Sequence, residues 1–173
     1  MRNVTTATVV VLVGLLQFTY PAVLAPLHVV PDLVLLFVLC LALYYRPTTA
    51  VLWWAGLAGL VVDLWQPSHF GTWTLACLVV AGLTLTVHTR VLPRLTQAGA
   101  FVTAAIALAA GVLVLAFVNA WGAPLGAGFA ALGRTFLLKY IFDLALTVPL
   151  LAIAKRVAVA LRGGSGTKIV VRV

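Results

Sequence analysis

Apolar positions along the chain gather into six long runs separated by short polar interruptions, at residues 4–20, 24–45, 48–64, 72–89, 98–118 and 129–154. A helix needs about 20 mostly apolar residues to cross the hydrocarbon layer of a bilayer, and each run is near that length. The connections are short: "RP" after the second run, "WQPSHFG" after the third, "RVLPRL" after the fourth and "NAWGAPLGAG" after the fifth. This pattern predicts an all-α polytopic membrane protein, a compact bundle of about six transmembrane helices over residues 1–157. Residues 158–173 are expected to form a short, basic, flexible cytoplasmic tail.

Two runs carry charge where lipid would not tolerate it unpaired. The second is interrupted by Pro31-Asp32, and from Leu33 to Tyr45 only 13 residues remain, about 20 Å of helix. Pro31 either opens that helix at its first position or kinks a longer one beginning near Leu24. Either way Asp32 falls in or near a first turn. There a carboxylate meets free backbone N–H groups and the positive end of the helix dipole, which suits a cap and surface anchor. The sixth run holds Lys139 and Asp143, four apart on one helical face, where they can pair. Their depth predicts that they face each other or the bundle interior. Gln17 and Asn119 are further polar groups able to join contacts between helices.

Composition sharpens the class. The chain is 64% hydrophobic and 8% charged, against about 45–50% and about 25% in soluble domains, and its mean hydropathy is +1.21. A soluble core of this size cannot hide that much apolar surface. The net charge of +8 does not imply nucleic acid, because the basic residues sit between apolar runs. Arg2, Arg46, Arg90, Arg94, Lys155, Arg156, Arg162, Lys168 and Arg172 all fall on one side of a six-span arrangement, and the opposite connections contain no lysine or arginine. The positive-inside rule then expects both termini in the cytoplasm and residues 66–71 outside. The first 25 residues, with their basic start, apolar stretch and Val23-x-Ala25 ending, also have the form of a signal peptide. We read the first run as a retained span.

Candidate chemistry is sparse. Cys40 and Cys77 lie in apolar runs and read as small hydrophobes. Residues 163–168 lack the order of a phosphate loop. The tail reads as a basic segment able to rest on anionic lipid. Most tryptophans and tyrosines fall near run ends, as interfacial belts require. In "GLAGLVVDLWQPSHFG", residues 56–71, Gly56, Gly59 and Asp63 share one helical face. Two glycines there would let another helix approach closely. Asp63, one turn from the outer surface, has no partner set for general acid–base work, and His69 alone does not supply one. The expected role is packing and loop fastening, with no catalytic residue, cofactor or metal ligand.

The stretch "PDLVLLFVLCLALYYRPTTAVLWWAGLAGLVVDLWQPSHFGTWTLACLVV", residues 31–80, resembles the bacterial rod shape-determining protein MreD family. The resemblance rests on Pro31 and Asp32, then Gly59, Asp63 and Leu64, then Gly71. It implies a non-enzymatic component of the cell-elongation and peptidoglycan-synthesis complex in the bacterial cytoplasmic membrane. The partners it implies are a single-span MreC-like protein and, through it, a RodA-like polymerase and a class B penicillin-binding protein. From a different class, a vitamin-type transporter membrane subunit has similar size and span number, and an internal Lys139–Asp143 pair would suit it.

Overall fold

A computed structural model describes residues 8, 12–17, 31–44, 48–65, 70–91, 97–121 and 129–163. Residues 12–17 are helical. The longer helices are α1 (Leu33–Tyr44), α2 (Thr48–Trp65), α3 (Thr72–Thr86), α4 (Gln97–Trp121) and α5 (Phe129–Gly163), with a π-helical turn, Val87–Val91, extending α3. Most of the first run, the first part of the second, the connection containing His69, Arg94 and residues 164–173 lie outside the described residues. Helix α5 carries on through residues 158–163, which the sequence pattern assigned to the tail.

Helix α1 is the hub. Its sequence, LVLLFVLCLALY, has no polar face, and a helix apolar all round is stable only when surrounded. It packs against α2, α3, α4 and α5, and Leu35, Val38 and Leu39 are fully buried. Around it α2 packs on α3, α3 on α4 and α4 on α5. Small residues set the closest approaches. Val80 of α3 lies so near Gly111 of α4 that a Cβ there would meet its Cγ2 at 2.7 Å. Buried hydroxyls on Thr84, Thr103 and Thr147 donate to the carbonyls of Val80, Gly99 and Asp143 one turn back, which satisfies them inside an apolar bundle. Between helices, the Tyr140 hydroxyl donates to the Ala105 carbonyl at 3.1 Å.

The result is an all-helical bundle of membrane type. Among the described residues, Thr72–Arg90, Ala98–Val118 and Leu137–Arg156 are long and apolar enough to cross a bilayer, and Leu33–Tyr44 and Thr49–Trp65 are shorter apolar helices beside them. The outer faces are apolar too. Trp53 is 76% exposed and Leu64 67%, as a lipid-facing surface requires. Trp54 turns the other way and packs on the core.

Helix α1 is too short to span alone. Its 12 residues reach about 18 Å against a hydrocarbon layer of about 30 Å. The helix begins at Leu33, so Pro31 precedes it rather than opening it, and Asp32 occupies the cap position, its carbonyl accepting from Leu36 N–H at 3.0 Å. This irregular backbone sits level with Asp143 of α5, about 9 Å along the helix from Leu137. Non-helical backbone is tolerated at such depth only where protein covers it and satisfies its polar groups.

Candidate functional site: a buried charge junction at one end of the bundle

Those polar groups are satisfied by side chains from other parts of the chain. The Asp32 N–H donates to Asp143 Oδ1 at 2.9 Å, and the Leu33 N–H donates to Gln17 Oε1 at 2.8 Å. The first two amides reaching into α1 thus find acceptors on α5 and on the helical segment 12–17. An uncapped N–H there would cost about 1–3 kcal/mol.

The Asp32 carboxylate does something different from what its position in the sequence suggests. It is fully buried, and it does not serve as a surface anchor or cap its own helix. Its Oδ1 accepts from Lys139 Nζ at 2.8 Å and from Gln17 Nε2 at 3.4 Å. Lys139 therefore reaches across to Asp32 instead of pairing along α5 with Asp143. The reason is geometric. A lysine preceding an aspartate by four residues is the less favourable order on a helix, while α5 packs directly against α1. Asp143, also fully buried, is occupied on one oxygen by the Asp32 amide. The second carboxylate oxygens, Asp32 Oδ2 and Asp143 Oδ2, are buried with no hydrogen-bond partner among the described residues.

The second polar centre is Asp63, at the end of α2. It too is fully buried, where the sequence suggested a side chain able to reach water. Oδ1 accepts from Trp73 N–H at 3.0 Å, and Oδ2 accepts from Thr74 N–H at 2.9 Å and from the Thr74 hydroxyl at 2.6 Å. Asp63 thus caps the N-terminus of α3 from the preceding helix, placing negative charge at its positive end. Gly71 makes the turn before α3 with φ +92°, a conformation open to glycine at little steric cost. Gly59 makes the approach possible. A Cβ there would lie 2.4 Å from Thr74 Cα and 2.7 Å from Trp73 O, both backbone atoms. Gly56 plays no such part, since the nearest atom to a Cβ there is Leu78 Cδ2 at 3.8 Å. Of the two glycines on that face, only Gly59 is a point of backbone contact.

Trp73 joins the two centres. Its N–H is held by Asp63 and its ring lies 5.8 Å from Lys139 Nζ, close enough for a cation–π attraction worth about 0.5–1 kcal/mol. Pro31-Asp32, Gly59, Asp63, Gly71, Lys139 and Asp143 thus belong to one end of the bundle. Gln17, Trp73 and Thr74 are parts of it that the sequence did not assign. The signal for Gln17 was a lone amide in an apolar run, and for Thr74 a hydroxyl three residues after a turn glycine. Both Cys40 and Cys77 are free thiols, and Cys77 is buried in the core. Among the described residues no three His, Cys, Asp or Glu side chains gather where they could hold a metal ion.

No protein-family model, curated protein or solved structure matches the chain. What fold and site define is therefore a class: a membrane-embedded helical protein whose polar residues knit helices together.

Proposed function

We propose that the chain is an MreD-like, non-enzymatic subunit of the bacterial cell-elongation machinery, resident in the cytoplasmic membrane and bound to a single-span MreC-like partner. The observation that carries this reading is the role of the residues on which the resemblance rests. Asp32, Gly59, Asp63 and Gly71 are all spent on holding helix ends together, which leaves helix surfaces as the means of action. Leu52, Trp53, Leu57 and Leu60 of α2 and Leu137, Ile141 and Val148 of α5 are exposed and apolar, a surface suited to lipid or to a partner's helix.

Mild-detergent extraction followed by affinity capture should recover an MreC-like protein, with a RodA-like polymerase and a class B penicillin-binding protein at lower yield. Depletion should round or widen a rod-shaped host. The vitamin-type transporter reading is favoured by one feature, the set in which Lys139 and the buried Asp143 of α5 meet the buried Asp32 at the start of α1. Recovery of a stoichiometric transport ATPase, with submicromolar binding of a vitamin-sized ligand, would replace the elongation reading with that one.

The same proposal includes six spans with both termini cytoplasmic. Cysteine probes introduced at Ser68 and at Thr167, after replacement of Cys40 and Cys77, give the check. In intact cells an impermeant thiol reagent should label position 68 and spare position 167 until the inner face is opened. The reverse order would overturn the topology.

A further inference from the structure

The junction of α1 and α5 contains two buried carboxyl groups and one ammonium. Asp32 and Asp143 are fully buried, and among the described residues Lys139 is paired with Asp32 alone, at 2.8 Å. With both carboxyls ionised the junction would carry one uncompensated negative charge within the depth of a membrane span, an expensive arrangement. The hydrogen bonding points the same way. On each carboxyl one oxygen is engaged, and Asp32 Oδ2 and Asp143 Oδ2 are left buried with no donor among the described residues. Two orphan acceptors, on residues joined by the Asp32 N–H to Asp143 Oδ1 hydrogen bond, with a missing positive charge describe a site short of a donor and one unit of charge. A proton supplies both.

We propose that the junction is a proton-binding site, in which the Asp32 and Asp143 carboxyls, facing one lysine, together hold a single exchangeable proton. Asp143 is its principal seat, because Asp32 faces the ammonium directly while Asp143 accepts only an amide. Among the described residues, the remaining surroundings provide no competing cation. Gln17 on the segment 12–17 is a neutral amide, α3 contributes the Trp73 ring, and Asp63 of α2 is engaged by the Trp73 and Thr74 amides. Bound, the proton makes the junction neutral and lets α5 close on the cap of α1. Released, it leaves two carboxylates against one lysine and weakens that closure. The site stands independently of the partner proposed above.

Infrared spectroscopy of the full chain reconstituted in lipid, in sodium-free buffer at neutral pH, tests this directly. The wild type should show the carbonyl band of a protonated carboxylic acid, shifting in heavy water. Asp143→Asn, which keeps the shape and the acceptor for the Asp32 amide, should abolish that band, and Asp63→Asn should leave it in place. Lys139→Met should make it about twofold larger, because two buried carboxyls then lack a cation and both neutralise. Absence of the band in wild type, or its survival in Asp143→Asn, would overturn the proposal. So would loss of the band on adding sodium, with a sodium-dependent rise in thermal stability, which would assign the site to a metal cation.

Discussion

Gly59→Leu is expected to collapse assembly of the bundle, with inserted, folded protein falling to a small fraction of wild type. The obstacle is backbone. Even a methyl group at this position would lie 2.4 Å from Thr74 Cα, and the first turn of α3 cannot retreat without leaving Asp63, which holds both Trp73 and Thr74 amides. Overpacking against movable side chains typically costs about 1–3 kcal/mol. Here Gly59→Ala should lie within that range and Gly59→Leu beyond it. Gly56→Ala is the matched control. It meets only ordinary contact with Leu78, and alanine is favoured over glycine in a helix by up to about 1 kcal/mol, so it should be neutral or stabilising. Sequence alone would make Asp63→Asn a mild change. The three hydrogen bonds make it heavier, about 1–3 kcal/mol, because an amide NH2 must face an N–H or hydroxyl donor that then loses its acceptor. Labelling of the buried Cys77 thiol during heating of purified protein measures all four. Equal melting of Gly59→Ala and Gly56→Ala would refute the close approach.

The second large effect concerns the ion pair between Asp32 and Lys139. Removing one partner of a buried pair costs about 3–5 kcal/mol, because the other charge is left uncompensated. The Lys139 side chain is 23% exposed, so Asp32→Ala and Lys139→Met should each fall at or below the lower end of that range. The double variant should be less destabilised than the sum of the two, since neither charge then remains alone. A coupling energy of about 2 kcal/mol is expected from the cycle, within the range for directly interacting residues. The parallel cycle between Lys139 and Asp143 should give a smaller coupling, because among the described residues no ion pair joins them and Lys139 is engaged by Asp32. Additive behaviour of Asp32 and Lys139 would show that the pair does not form, and strong coupling of Lys139 to Asp143 would return the partnership to α5 alone.

Much of this molecule was decided by the order of its residues alone. Membrane residence follows from apolar runs that no soluble core could bury, and helical structure follows because every backbone amide in lipid must be satisfied within its own segment. The end of α2 and the start of α3 lie within a residue of the apolar pattern, since Gly71 and the polar stretch before it interrupt a helix wherever they occur. The shared face of Gly59 and Asp63 is likewise a matter of spacing, fixed by 3.6 residues per turn.

Partnership is what only the tertiary structure decided. Helical spacing places Lys139 over Asp143, and nothing in that spacing reveals that α5 lies against α1 with Asp32 closer to the ammonium. Nor does it reveal that Asp63 turns inward to the α3 amides instead of outward to water, or that Gly59 touches backbone while Gly56 touches one flexible leucine. A one-dimensional period gives the direction of a side chain about its own helix. Which charge, amide or backbone stands in that direction depends on the packing of helices distant in sequence, and burial makes those cross-helix choices the energetically decisive ones.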